Sequence, residues 1–524
     1  MRNQSSRYSR LALSILLACT CFADNSVRAQ DISGGASVLL ASADVEAKFG
    51  KGIFTPPKNV VHATKRLEKK TVVRSAVRAA HTQRQTTAGN RQQTSRAGDS
   101  GSRTSDSTKP PLDFTRPLGD PARRISTAED HNKQGDDFFD AGNYEKAVAS
   151  YQQAIRLKAN YPEAHLNLGE AYFNLGRYDE AVTSDKQALL LKPDWADAYL
   201  ALGNAYLKLD RTEEALEALK RAHALEPADD DTRNALSLAY YDRGVAAYNA
   251  GRYEAAVADY QQAVSLKPNY AEAHNNLGDA YRRLEKFPEA IEAYKTAVRL
   301  KPDSADAYSD LSWIYDKLGR YPEAAESYRQ VIRLKPDDAE ANNNMGYALG
   351  KTKRWPEAIE AFKRAIQLKA DYAEAYSNLG WAYNNTGNFG AAVEPLKHAI
   401  QLKPELPEGH FNIGITYSRL QQKPEALAAF QKTVQLKPDW PAAQNNLGYG
   451  YGSLGKWKEA IAAHRQAITL KPDYAGAHFN LGYAYLKSGN KKAAVEEYKT
   501  LLPLNQGLAN QLYIMIYNKQ PPRT

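Results

Sequence analysis

The sequence predicts an all-α fold, a solenoid built by stacking antiparallel helix pairs. Three observations predict it. The chain has 524 residues, more than the roughly 300 that one hydrophobic core usually serves, so several domains or a repeat array are expected. The segments His165-Leu166-Asn167-Leu168-Gly169, His274-Asn275-Asn276-Leu277-Gly278 and Tyr376-Ser377-Asn378-Leu379-Gly380 are copies of one another. The spacing between such glycines is 34 residues, from Gly135 to Gly169 to Gly203 and again from Gly346 through Gly380, Gly414 and Gly448 to Gly482.

The N-terminal end reads as a secretory signal over residues 1–29. Arg2, Arg7 and Arg10 form a positive start, and Leu11 to Ala23 is an apolar stretch of thirteen residues. That is too short for a membrane-spanning helix, which needs about twenty. Cleavage is expected after Ala29, with Ala23 as an alternative. Leu16-Leu17-Ala18-Cys19 offers a further alternative, a lipid anchor on Cys19 in the manner of a bacterial lipoprotein. The expected location is therefore exported, periplasmic or extracellular.

Residues 30–127 are rich in Ser, Thr, Arg and Gln and read as a disordered basic linker, because so few apolar side chains cannot offset the entropy of ordering. Lys65, Arg66, Lys69, Lys70, Arg74 and Arg78 sit among Val and Ala. They read as a solvated tether, with a short basic helix on an anionic surface as the alternative. Charge is uneven. Residues 24–127 hold 18 basic and 9 acidic side chains, whereas 128–524 hold 48 basic and 51 acidic. The pI near 9.0 thus belongs to the tail and is no argument for nucleic-acid binding by the array.

Eleven repeats follow over 128–508, three in 128–229 and eight in 237–508. The seven residues between them, Asp230 to Leu236, amount to two helical turns and can lengthen one helix while keeping its buried face. Within Ala271 to Ser304, Asn269 and Glu272 form a capping-box-like pair before the first helix, echoed by Asp303/Asp306, Asp337/Glu340 and Asp371/Glu374. Pro288 is expected at the start of the second helix, which ends before Pro302. Gly278, Ala290 and Ala297 are small where the helices must meet.

The pattern Leu277-Gly278, Tyr281, Ala290, Tyr294, Ala297 and Pro302 resembles the tetratricopeptide repeat. Eleven in-phase copies cover 128–508. The resemblance implies a right-handed superhelix and a general protein-interaction scaffold without catalysis. Ser312 in place of glycine, Asp185 in place of the aromatic and Pro395 inside a second helix depart from the pattern. The array is also similar to the repeat half of O-linked N-acetylglucosamine transferase, but only seventeen residues follow Gly507 and no transferase domain is expected.

Other motifs are decoys. Gly450-Tyr451-Gly452-Ser453-Leu454-Gly455 spells GxGxxG without the preceding strand that dinucleotide binding needs. Gly98-Asp99-Ser100-Gly101 echoes a serine-protease nucleophile but lies in the low-complexity tail. His165, His274, His410 and His478 share one repeat slot in non-adjacent repeats, too dispersed for a zinc site. The only thiols, Cys19 and Cys21, fall in the signal. No metal or cofactor is expected.

The resemblance places the slot before Leu-Gly on the concave side of the superhelix. It holds Asn167, Asn276, Asn344, Asn378, Asn412, Asn446 and Asn480, which resembles an asparagine ladder that grips an extended peptide backbone. An amide both donates and accepts, matching peptide N–H and C=O. Three residues on, Trp313, Tyr347, Trp381, Tyr449 and Tyr483 supply rings, with Ile415 between. Rings beside amides suit peptides, and sugar rings are the alternative ligand. The acidic slot of Glu163, Asp197, Glu272, Asp306, Glu340, Glu374 and Glu408 argues against capture of a C-terminal carboxylate. The expected function is thus a non-enzymatic exported scaffold for a peptide or protein segment. The alternative is a polysaccharide-associated component of a cell-envelope or secretion system.

Residues 509–524 are expected to form a capping helix and tail. Leu512, Met515 and Ile516 share one face by their spacing, while Tyr513, Ile514 and Tyr517 flank it. The flanks point to contact with a second chain, a dimer through 512–517.

Overall fold

A computed structural model describes residues 127–519. The signal, the linker and their alternatives lie outside the described residues. Those residues form 23 helices and no strand. None is long and apolar enough to cross a membrane. They fall into two compact units that meet in sequence between Asp337 and Asp338. The first holds repeats one to six, and the second holds repeats seven to eleven and a terminal helix.

Each repeat is a helical hairpin. In repeat five the first helix is Ala271–Arg283 and the second is Phe287–Leu300. The chain reverses between them through one left-handed residue. Eleven hairpins use seven glycines, such as Gly319 at φ 71°, and four non-glycines: Asp210, Glu285, Lys353 and Gln421. The second helix stops because Pro302 follows. The proline forces Lys301 to an extended φ of −133°, and its N–H still bonds Ala297 at 2.8 Å.

Close approach of the two helices explains the glycine period. A Cβ on Gly278 would stand 2.8 Å from the Tyr294 ring, and one on Gly414 would stand 2.6 Å from Phe430. Both rings are fully buried, as are Ala290 and Ala426 beside them. The departures fit without changing the fold. Ser312 buries its hydroxyl by donating to the Tyr308 carbonyl at 2.6 Å. Asp185 is buried against Gly169. The helix Phe389–Leu402 runs through Pro395 unbroken.

The segment 230–236 forms the first two turns of a 20-residue helix, Asp230–Asn249, capped by Asp229. Ala235 and Leu236 are buried with Leu216, Leu219 and Ala222 of repeat three. Arg243 stands where seven other repeats have leucine. Its guanidinium grips Asp259 at 2.6 and 3.0 Å and reaches Glu213 of repeat three at 3.2 Å.

Two local expectations need correction. The capping pairs at Asn269, Asp303, Asp337 and Asp371 miss by one residue, because the helices begin at Ala271, Ala305, Ala339 and Ala373 with Tyr270, Ser304, Asp338 and Tyr372 as N-caps. Only Ser304 and Asp338 of these four cap with a side chain. Tyr270 and Tyr372 instead lie under the ammonium groups of Lys267 and Lys369, at 4.9 and 5.0 Å. Pro288 is the second helical residue, since Phe287 begins the helix. A missing N–H is harmless there too, within the first turn.

The terminal helix is Gln506–Tyr517. Leu512, Ile516 and Ala509 are buried against repeat eleven, with Met515 partly buried. A Cβ on Gly482 would stand 2.5 Å from Leu512, whereas one on Gly135, Gly278 or Gly414 would meet the aromatic ring of its own repeat. Tyr498, displaced from that slot, lies tilted against Tyr513 at 5.3 Å, and Tyr513 against Tyr517 at 4.7 Å. Two of the flanking residues, Tyr513 and Tyr517, therefore have ring partners within the chain.

Candidate functional site

The candidate site is the face on which first helices of successive repeats line up within a unit. Its geometry follows from a 35-residue step. Asn276 donates to Tyr241 Oη at 2.9 Å, and Arg283 donates to Tyr248 Oη at 3.2 Å. Positions seven apart on a helix point the same way. The slot of Asn276 and the slot of Arg283 therefore lie on one stripe, each touching the residue 35 places earlier.

The seven asparagines are not a row of open amides. Asn276, Asn412, Asn446 and Asn480 are at most 3% exposed, while Asn167, Asn344 and Asn378 are half-buried. Their donors are directed along the stack. Asn167 donates to Asn132 at 3.3 Å, Asn378 to Asn343 at 2.9 Å, Asn412 to Ser377 at 3.4 Å and Asn480 to Asn445 at 3.1 Å. Asn167, Asn276, Asn378, Asn412 and Asn480 thus tie their repeats to the ones before. An amide within the stack is desolvated, so pairing it avoids the cost of an unmade hydrogen bond, about 1–3 kcal/mol. The sequence reading missed these partners. The signal was present: a polar side chain, Asn132, Asn343, Ser377 or Asn445, stands 35 residues before the amide.

The rings are similarly divided. Tyr347, Trp381 and Tyr483 are buried, whereas Trp313 and Tyr449 are half-buried. Trp381 lies 5.8 Å from Tyr347 and 5.1 Å edge-on from Trp355, over Gly350, where any Cβ would collide with it. Tyr483 meets Trp457 at 6.1 Å, and Trp313 meets Phe287 at 6.4 Å. Buried rings at this slot knit repeats together, and the half-buried ones keep a face toward solvent.

The acidic slot is also occupied structurally. Lys335 reaches Asp306 at 2.8 Å and Lys403 reaches Glu374 at 2.9 Å. The same lysines cap the second helices, where a cation complements the partial negative charge of the C-terminus.

The histidine slot is framework. The Nε2 atoms of His274, His410 and His478 bond the carbonyls of Pro268, Pro404 and Pro472 at 3.0, 2.8 and 2.9 Å. Gln444 makes the same bond to Pro438. Burial holds His274 and His410 below the usual imidazole range. His478 differs. Burial pulls it down, but Glu497 at 2.7 Å and the Pro472 carbonyl outweigh burial and raise it. His464 is fully enclosed, pushed down to about 3 by burial, with Nδ1 donating to Asn445.

The face differs in charge between the units. In repeats one to six it carries Asp136, Glu170, Asp242, Asp279 and Asp310 at the amide and ring slots. Burial pushes the Asp310 carboxyl well up, helped by Asp279 and opposed by Arg282. In repeats seven to eleven those slots hold no acid at all.

Sequence-family models for the tetratricopeptide repeat match residues 161–228, 241–305, 309–373, 343–407 and 475–506, and a TPR repeat model matches 135–176 and 450–489. The chain belongs to the tetratricopeptide-repeat family. Members of this family are protein-interaction scaffolds, and the repeat itself is typically non-catalytic. No curated protein matches the sequence. Among solved structures, it is similar to MamA at 28% identity, over 33% of this chain and 96% of that one, with a TM-score of 0.28. It is similar to YrrB, described as a TPR protein with an unusual peptide-binding site, at 21% identity over 35% of this chain and 95% of that one, with a TM-score of 0.31. The Cut9-Hcn1 assembly of the APC/C is similar over 75% of this chain and 97% of that one, at 15% identity and a TM-score of 0.41.

Proposed function

We propose that the protein is a non-enzymatic, exported scaffold that holds an extended peptide or protein segment along the first-helix face of repeats seven to eleven. One observation carries this reading. Asn344, Asn378 and Tyr449 are half-buried on that face, Asn378 with its N–H on Asn343 and its amide still partly exposed, while Asn412 and Asn480 are enclosed and spent on holding the repeats in register. An accessible amide can meet a peptide backbone irrespective of sequence, and a ring can cover the side chain beside it. The buried asparagines act indirectly, by setting the pitch at which the accessible ones recur. Export rests on Arg2, Arg7, Arg10, the apolar stretch to Ala23 and the small residues ending at Ala29.

The test is binding of extended synthetic peptides to the full chain and to a variant carrying Asn344→Ala, Asn378→Ala and Tyr449→Ala. Each neutral hydrogen bond contributes about 0.5–1.5 kcal/mol net, so the triple variant should bind at least about tenfold more weakly with unchanged helicity. Normal binding by the triple variant overturns the reading. Export is tested by N-terminal sequencing of protein from its host. A start at Gln30 is expected, and an intact Met1 contradicts it.

A further inference from the structure

The second unit is basic. Residues 338–519 hold 21 Lys and Arg against 15 Asp and Glu, a net of +6, whereas 128–337 hold 26 against 36, a net of −10. Part of the difference lies on the first-helix face. Seven residues beyond the asparagine slot lies a slot occupied by Lys351, Asn385, Arg419, Ser453 and Lys487 in repeats seven to eleven, and by Asp140, Asn174, Lys208, Asn249, Arg283 and Lys317 in repeats one to six. Cations therefore recur in both units, and the contrast lies in the acids beside them. Arg419 and Lys487 are exposed, and Lys351 is half-buried. Each cation leans over a ring: Lys351 over Tyr347 at 5.8 Å, Arg419 over Phe389 at 6.0 Å and Lys487 over Tyr483 at 5.4 Å.

Acids are kept to the other end of these helices. Glu340 and Glu408 stand eleven residues before Lys351 and Arg419, about 16 Å along the helix, and Glu374 stands eleven before Asn385. Glu374 is tied to Lys403 at 2.9 Å and Glu408 to Lys437 at 3.8 Å. Repeats ten and eleven have Ala442 and Gly476 in that slot. Cations at helix C-termini also serve the helix dipole. Packing accounts for two of the five acids that repeats one to six keep at the amide and ring slots, since Asp136 and Asp279 accept from the hydroxyls of Tyr151 and Tyr294 where repeats seven to ten have Phe362, Leu396, Phe430 and His464. Glu170 and Asp242 have no acidic counterpart in repeats seven to eleven either.

We infer that the first-helix face of repeats seven to eleven selects an extended peptide segment rich in Asp and Glu, its backbone on the amides and its carboxylates toward Lys351, Arg419 and Lys487. This rests on the groove reading above and adds the chemical class of the partner. The segment 24–127 of the chain, with 18 basic and 9 acidic residues, has the wrong sign to occupy this face.

The experiment is fluorescence anisotropy of the full chain with three labelled peptides of equal length: Asp/Glu-rich, Ser/Gln-rich and Lys-rich. It is repeated at high salt and with the double variant Arg419→Gln, Lys487→Gln. Both side chains are exposed, so the variant should fold. The acidic peptide should bind tightest, and salt should erase its advantage. The double variant should weaken the acidic peptide by roughly three- to tenfold, as two partly exposed ion pairs imply, and leave the neutral peptide unchanged. Equal binding of acidic and neutral peptides, or indifference to the double variant, overturns the acidic preference. If both peptides still lose affinity in the Asn344, Asn378 and Tyr449 variant, the groove reading stands without it. Failure of all three peptides to bind sinks the groove reading itself, and a polyuronate binding where peptides do not overturns both.

Discussion

Repeats one to six and repeats seven to eleven are built alike and carry opposite charge. In both units a glycine of the first helix lies under an aromatic ring of the second: Gly278 under Tyr294 in one, Gly414 under Phe430 in the other. In both, asparagine ties a repeat to its predecessor, as Asn276 does to Tyr241 and Asn378 to Asn343. What changes is the chemistry at the ring slot. Acids such as Asp136, which accepts from the Tyr151 hydroxyl at 2.8 Å, and Glu170 give way to Tyr347 and Trp381, which pack between repeats, and to the half-buried Tyr449. The face of the second unit thereby loses its acids while keeping an accessible ring and accessible amides.

The first prediction tests the shared half of this comparison. Tyr294→Ala and Phe430→Ala should each destabilise by about 3–5 kcal/mol, since each empties a fully enclosed site. Urea unfolding followed by circular dichroism measures both. A large loss in one unit and none in the other would break the structural equivalence.

Overpacking gives a smaller effect of the same kind. Gly278→Ala and Gly414→Ala should cost about 1–3 kcal/mol each, because the new methyl meets a buried ring at 2.8 or 2.6 Å.

The histidine slot separates the end of the array from its interior. His478 is raised in the folded state, so its contribution is fully present below the unfolded imidazole value, about 6.5, and is lost as pH rises through the higher folded value. Its slot-mates His274 and His410 are lowered, so they disfavour the folded state only as the medium turns acidic. Glu497→Ala should therefore lower the melting temperature more at pH 6 than at pH 8, with hydrogen exchange rising first in Gln506–Tyr517. A deficit independent of pH would contradict the assigned pair.

The smallest effects lie in the hairpin turns. Asp210, Glu285, Lys353 and Gln421 hold positive φ without being glycine. Replacing each by Gly should stabilise by up to about 1 kcal/mol, two of the four in each unit. Destabilisation at all four would show that the side chains make contacts worth more than the backbone strain.

Much of this was legible in the sequence, and the limits are instructive. The repeat boundaries, the glycine period and the tandem helices can be read because each is fixed by local chemistry: Pro302 ends a helix, and Gly278 admits a ring. The two-turn lengthening at Asp230 to Leu236 follows from helical pitch alone. The capping pairs went astray by one residue because Tyr270 and Tyr372 are needed under Lys267 and Lys369, a contact between side chains that propensity does not register. The asparagines were visible as a column, yet their burial was not. Whether Asn412 meets solvent or Ser377 depends on how closely the previous repeat approaches, and that distance is set by packing across 35 residues. The cationic slot went unread for a different reason. Lys351, Arg419 and Lys487 alternate with Asn385 and Ser453, and only the position of their helix face gives the series meaning.

The central claim, that the second unit holds the partner, is tested most directly by photo-crosslinking an acidic extended peptide to the full chain and mapping adducts by mass spectrometry. Adducts should cluster on the first helices of repeats seven to eleven, around Asn344, Asn378, Arg419, Tyr449 and Lys487. Adducts confined to residues 127–337, or spread evenly over both units, would contradict the account.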